Sequence, residues 1–472
     1  MGSDNGGSRR RRFGRALAAV AGAAALTLVM ASCSAADPGA EGTQTVRGTS
    51  GGTAPAETGT PEPGKSGTGK SETGEPPKVA DGWPRFGLTH TGVSANNVTQ
   101  QFEQVVAGNL AKTPMLQNQH IMGFGALNPQ PRKQEFYWED LDSRMNLMKL
   151  SGGTPIITLC CAPDWMKGGP EGPTTETGWR DHLEDAPYPK HFDDFAKLSA
   201  TVAQRYKNVK YFMVWNEFKG FWKNHNEPAD FKGYTEMYNK VYDAVKAVRP
   251  DALIGGPYLG FDSHETGESE LRGDWGVVSQ HAIDAFQYWN KNKKGADFIV
   301  VDGASVTDSH KLIPDEFGAL SKFSDVTAWL RKESGDLPVW WSEWYFVPED
   351  GTTWPEPKRL AVQAASMIEF ARSGAATALY WNPQAKEGAC NGCMWHPTNG
   401  SQLPTGKLVA DFATWFPADA KLEKVETSDS KIRVLAQAER MVMVNTSNAS
   451  VSATVDGKDV TLKAYEIKWS DR

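Results

Sequence analysis

A chain of 472 residues is long enough for a large domain with an accessory unit, and is too long to be a single small module. Its formal charge is −7; residues 1–32 carry five Arg and one Asp, so the part from Cys33 onward stands at about −11. That acidic balance argues against nucleic acid or an anionic membrane surface as the main partner.

The first segment, residues 1–33, has the order of an export signal: Arg9 to Arg12 and Arg15, the small apolar stretch 16–30, then Ala31-Ser32-Cys33. The apolar stretch is too short for a mature membrane span. Arg10-Arg11-Arg12-Phe13 resembles a twin-arginine signal, although four consecutive arginines also make an ordinary basic leader. Small residues directly before Cys33 resemble a bacterial lipobox, in which that cysteine receives the lipid, with Met30 standing where the motif usually has leucine. The expected location is extracellular or cell-surface, on the outer face of a bacterial membrane, with a lipid on Cys33 as the only membrane contact.

Residues 34–80 are Gly, Thr, Ser, Pro and Glu with almost no large apolar side chain, as in Thr58-Gly59-Thr60-Pro61-Glu62-Pro63-Gly64. Such a stretch cannot bury enough surface to offset its ordering entropy and is expected to be a disordered linker. A flexible tether of this length spans on the order of 35 to 40 Å root mean square.

From Trp83 the chain alternates short β-rich runs with longer amphipathic stretches, the pattern of βα units on a parallel sheet. Strands are predicted over 85–89, 119–124, 155–159, 210–214, 253–256, 298–301, 338–341 and 376–380. Helices at the 3.6-residue period are predicted over 138–150, 192–206, 231–248, 275–291, 326–333 and 360–373. Eight strands with intervening helices over residues 81–415 predict an α/β fold, a (β/α)8 TIM barrel. A doubly wound sheet is the alternative, but no Gly-rich phosphate loop follows any strand. Residues 416–472 change to short alternating segments at 432–437, 440–445, 450–455 and 460–464, which predicts a small C-terminal antiparallel β domain.

After Cys33 four cysteines remain, the neighbours Cys160-Cys161 and the pair Cys390 and Cys393. The second pair lies in a Gly- and Asn-rich loop where a local disulfide fits an oxidising compartment. His396 follows, but no second CxxC or HxxxH completes a zinc site, so no metal is expected.

Two acidic tripeptides bear on chemistry: Trp215-Asn216-Glu217, closing the run 209–215, and Ser342-Glu343-Trp344, closing the run 337–341. Charged residues avoid buried strands unless desolvation is offset, so carboxylates at two strand ends suggest convergence on one accessible floor. In a barrel the carboxyl ends of the strands line the active face. A pair of carboxyls is the minimal equipment for cleaving a glycosidic bond, one donating a proton to the departing oxygen and the other meeting the oxocarbenium-like carbon. Seventeen Trp, twelve Tyr and twenty Phe are a rich aromatic supply for stacking on sugar rings as well as for a core.

An Asn-Glu pair after the fourth strand with a second Glu after the seventh resembles the large clan of retaining (β/α)8 glycoside hydrolases. Residues 137–142 before a helix, Ala162-Pro163-Asp164-Trp165-Met166 at a strand end, and a C-terminal β unit resemble glycoside hydrolase family 39, the β-xylosidase and α-L-iduronidase family. The resemblance implies Glu217 as acid/base, Glu343 as nucleophile, Asn216 on the sugar 2-hydroxyl and Trp381 under the bound sugar, with no cofactor. Trp165 and His90 are further pocket candidates. Many members of the clan carry Tyr or His just after the sixth strand to orient the nucleophile, where this chain has Asp302-Gly303-Ala304-Ser305; Tyr258 after the fifth strand is a candidate substitute. Mutual repulsion and partial burial are expected to raise the pKa of Glu217. The activity so implied is hydrolysis of an extracellular oligo- or polysaccharide by double displacement. Transglycosylation and a non-catalytic carbohydrate-binding lipoprotein are the alternatives.

Overall fold

The computed structural model describes residues 85–91, 94, 99–172, 182–222, 230–346, 354–381, 383–384 and 392–472. The export signal, Cys33, the linker and Cys390 lie outside the described residues. Eight parallel strands close into a barrel: β1 Phe86–Thr89, β2 Leu116–His120, β3 Thr154–Leu159, β4 Tyr211–Val214, β5 Leu253–Gly260, β6 Phe298–Ala304, β7 Val339–Tyr345 and β8 Thr377–Trp381, with β8 pairing back onto β1.

The helices between them are α1 Gln100–Leu110, α2 Glu139–Leu150, α3 Phe192–Arg205, α4 Phe231–Val248, α5 Gln280–Asn292, α6 Ser321–Ser334, α7 Glu356–Ser373 and α8 Pro404–Trp415. Their apolar stripes face the sheet. In α4 the buried residues Tyr234, Met237, Tyr238, Val241 and Val245 recur at three- and four-residue steps, and Asp230 caps the first turn by accepting from the Gly233 amide at 2.8 Å. Helices α6 and α7 stop at Gly335 and Gly374 in left-handed caps. No described helix is long and apolar enough to cross a membrane.

The sequence-based ranges fall on these elements, but β5, β6 and β7 run three to four residues past their predicted ends, the C-terminal strands Leu422–Glu423 and Ile467–Asp471 were not predicted, and three further departures stand out. Strand β2 begins three residues before the predicted start and ends at His120, because Gln117, Asn118 and Gln119 hide a buried polar strand from a search for apolar runs. Helix α5 starts at Gln280 because residues 263–278 fold back as a three-stranded insertion. Helices α1 and α8 were not predicted at all.

The lower barrel interior is filled by inward side chains including Leu116, Ile156, Tyr211, Met213, Phe298, Val300, Trp340 and Leu379. Trp340 stacks on Phe298 at 4.4 Å, whereas Trp341 points outward and donates to Thr327 Oγ1 of α6 at 2.9 Å. Above this layer the inward residues turn polar. Thr158 donates to Asn118 Oδ1 at 2.8 Å, Asn118 to Thr89 Oγ1 at 3.2 Å, and Thr89 to the Ser342 carbonyl at 2.5 Å.

C-terminal strands β9 Leu422–Glu423, β10 Ile432–Gln437, β11 Arg440–Asn445 and β14 Ile467–Asp471 form an antiparallel sheet, and β12 Val451–Val455 pairs with β13 Lys458–Leu462. Ile432, Val434, Met441, Met443, Val451, Val455 and Leu462 share a separate small core. Trp469 bridges to the barrel, packing on Phe412 and Trp415 of α8 at 5.2 and 4.9 Å.

Candidate active site

Glu217 stands three residues beyond β4, in a turn where Trp215, Glu217 and Phe218 all have positive φ. Left-handed backbone at three non-glycine residues is unfavourable by about 1–3 kcal/mol each and persists only where the surroundings over-determine it. Here Trp215 and Phe218 are fully buried, the Trp215 indole donates to the Lys219 carbonyl at 2.7 Å, and the Trp222 indole donates to the Glu217 carbonyl at 2.9 Å. The turn closes at Gly220 (φ 73°), where an added Cβ would stand 2.1 Å from the Ala186 amide nitrogen. The Glu217 side chain is held at the mouth, 27 % exposed.

Glu343 reaches the same floor through a β-bulge. Across β6 and β7, Trp340 pairs with Val300 and Trp341 with Val301, but Glu343 pairs with Asp302, so Ser342 is the extra residue. Without that insertion Glu343 would face the helix layer; with it, the carboxyl turns inward. A second irregularity on β5, between Pro257 and Leu259, does the same for Tyr258. Tyr258 Oη donates to Glu343 Oε1 and Tyr345 Oη to Glu343 Oε2, each at 2.6 Å.

Facing oxygens of Glu217, Asp302 and Glu343 lie within 4.8 Å of one another, close enough to share one cation. The cation the structure puts there is Lys219, whose Nζ is 2.7 Å from Glu217 Oε2 and 2.7 Å from Glu184 Oε1. Burial pushes the Glu217 carboxyl up, but the Lys219 ammonium and a hydrogen bond from Asp302 outweigh it and hold the group below its ordinary value. The sequence-based expectation of a raised Glu217 is therefore corrected, and Lys219 is the reason. Burial and the charge of Glu217 push Glu343 up to about 7, against the two phenol hydrogen bonds. Burial and the same charge hold Asp302, 1 % exposed, well above the carboxylate range.

Asn216 is buried with its Oδ1 3.4 Å from His120 Nε2; burial lowers the His120 imidazole to about 4, so that ring is neutral near pH 7. Trp381 ends β8 and meets Tyr345 edge-on at 5.0 Å, one ring removed from Glu343. Two candidates sit elsewhere. His90 points into the layer between sheet and helices, 3.0 Å from Gln117, whose amide donates to Ser151 beyond α2. Trp165 is buried against the segment before α2, donating to the Gln130 carbonyl at 3.1 Å and packing on His191. Cys160 and Cys161, just after β3, are joined by a disulfide and fully buried; Cys393 is also disulfide-bonded.

Sequence reasoning missed four residues of this cluster. Lys219, two positions after Glu217, and Tyr345, two after Glu343, were within sight of the motifs. His120 was hidden by the displaced strand, and Asp302 was noted only as a departure.

No protein-family model and no curated protein sequence matches the chain significantly. Solved structures do share its fold. A conserved exported protein from Bacteroides fragilis aligns with a TM-score of 0.59 at 12% identity, over 82% of this chain and 97% of its own. A family 39 glycoside hydrolase from the gut symbiont Bacteroides cellulosilyticus WH2 aligns at 0.54 and 14%, over 82% and 80%. A glucosidase from Croceicoccus marinus aligns at 0.53 and 13%, over 83% and 82%. At these identities the likeness establishes the architecture: the chain has the (β/α)8 fold that family 39 glycoside hydrolases also have.

Proposed function

We propose that the protein is a retaining β-glycosidase acting on an extracellular oligo- or polysaccharide by double displacement. The observation that carries this reading is the pair of carboxyls, Glu217 and Glu343, brought from two strand ends to within 4.8 Å on one floor. That spacing suits a retaining mechanism, in which the carboxyls stand roughly 5 to 5.5 Å apart, with no room for an interposed water. Glu343, ionised and steadied by two phenols, attacks the anomeric carbon. Glu217, at the more open position, protonates the leaving oxygen and then takes the proton of the incoming water. Asn216 is assigned to the 2-hydroxyl and Trp381 to the apolar face of the sugar. The glycosidases among the fold neighbours lend support at the level of class.

Export and lipid anchoring at Cys33 rest on residues 9–33 of the sequence. The Cys160–Cys161 disulfide fits an oxidising compartment. A surface tether would let a barrel sample polymers several nanometres from the membrane.

The test is reducing-end release from aryl β-glycosides, plant β-glycans and bacterial exopolysaccharides, with Glu217→Gln and Glu343→Gln run beside the parent. Turnover on one substrate class, falling at least about a thousandfold in both variants, is expected. Turnover that survives in both variants would overturn the assignment, and sugar binding without turnover would favour a carbohydrate-binding lipoprotein. A second reading has its own observation. The Lys219 ammonium lies 2.7 Å from Glu217, and Glu343 is the more deeply buried of the two carboxyls, an arrangement that would also suit exchanged roles.

A further inference from the structure

We propose that Asp302 is the proton store of this site, a positioning residue that keeps Glu217 supplied with the proton it delivers to the leaving group. The inference rests on the glycosidase reading and on Glu217 being the acid. Asp302 lies in register between Gly260 of β5 and Glu343 of β7, so three adjacent strands present a gap, a carboxyl and a carboxyl to the same floor. Gly260 leaves the space open: a Cβ there would stand 3.3 Å from Asp302 Oδ1. That Oδ1 has no hydrogen-bond partner among the described residues, and the group's bond is made to Glu217.

Three carboxyls within 4.8 Å cannot all be ionised when Lys219, the ammonium that among the described residues pairs with one of them, is already shared with Glu184. The groups facing Asp302 are Glu217 beyond β4, Glu343 and Tyr345 of β7, Tyr258 and Asp262 of β5 and the turn after it, and Lys322 of α6. Glu217 itself is faced by Lys219 and His120. Of the three floor carboxyls, Glu217 has the ammonium and Glu343 has two phenol donors, so Asp302 is the one without a donor of its own. The proton belongs there, and the hydrogen bond to Glu217 is its route. When the glycosidic C–O bond breaks, the proton moves from Asp302 to Glu217 and from Glu217 to the departing oxygen. When water attacks the glycosyl ester on Glu343, its proton returns through Glu217 to Asp302. One proton leaves and one arrives per turnover, and no oxidant or metal is involved.

Asp302→Asn separates this role from a structural one, since the amide still donates to Glu217 but has no proton to release. The full chain is assayed on one sugar with two leaving groups, a dinitrophenolate that needs no protonation and an alkoxide that does. The expected result is a loss of about 100-fold or more on the alkyl glycoside, little change on the dinitrophenyl glycoside, and a basic limb of the pH–rate profile moved to lower pH. Equal losses on both substrates, or an unmoved basic limb, would overturn the proposal while leaving the glycosidase reading intact. A panel with no turnover would instead overturn the glycosidase reading. Infrared difference spectroscopy at about pH 9, where Glu343 is ionised, then decides the store directly: a protonated-carboxyl band present in the parent and lost in Asp302→Asn supports it, and an unchanged band refutes it.

Discussion

At Glu343 two phenol hydroxyls oppose burial, and on the proposed mechanism both steady the anion that attacks carbon. Removing Tyr345 Oη leaves Glu343 Oε2 without its donor, which raises the carboxyl further and weakens the nucleophile. Tyr345→Phe is expected to lower kcat/KM by roughly 10- to 100-fold and to move the acidic limb upward; a pH–rate profile checks both. The same carboxyl makes a stability prediction. Its folded pKa, about 7, lies above the unfolded value, so the folded state binds more protons between about pH 4.5 and 7 and stability falls as pH rises through that window. The contribution is on the order of 3 kcal/mol at most. Glu343→Gln is therefore expected to unfold at a higher temperature than the parent at pH 8 and to lose the advantage at pH 4, as thermal melts would show. The two glutamates were legible in the sequence because each ends an apolar run. Their partners were not, since a tyrosine two residues on or an aspartate inside a strand carries no local signature of which way it points.

The loop after β4 and the bulges on β5 and β7 place the reactive groups, and each works by departing from regular structure. Gly220 is the point where the β4 loop passes the Ala186 backbone, and no side chain fits there. Gly220→Ala is expected to destabilise the fold by more than about 1 kcal/mol and to lower kcat/KM about tenfold or more, because the shift reaches Lys219 and Glu217; parallel melts and kinetics check it. Strand and helix periods were readable in the sequence, since an apolar alternation survives one inserted residue. Bulges were not, because the insertion of Ser342 changes facing without changing composition. That is why a reading by strand ends found the floor but also put His90 there, although its ring faces the helices.

For the whole molecule, the C-terminal sheets rest on the outside of the barrel through Trp469 against α8, Tyr465 near Phe317, and Arg433 donating to the Phe317 carbonyl at 2.7 Å. Trp469 sits on helix α8, and Phe317 belongs to the segment between β6 and α6. Trp469→Ala is expected to weaken the fold by about 2–4 kcal/mol, seen as a lower melting temperature or a split transition, while kcat per folded molecule stays unchanged. The order of the units along the chain was legible from the change in hydrophobic period. The seam between them was not, since it is made by residues far apart in sequence.

The proposed mechanism has Glu343 attack and Glu217 protonate. The direct measurement is intact-protein and peptide mass spectrometry after reaction with a 2-deoxy-2-fluoro glycoside of the sugar that the panel identifies, which slows hydrolysis of the glycosyl ester. One sugar on Glu343, lost on incubation with acceptor and absent in Glu343→Gln, is the predicted result. A label on Glu217, or rapid turnover with no covalent species and an inverted product, would rule out these roles.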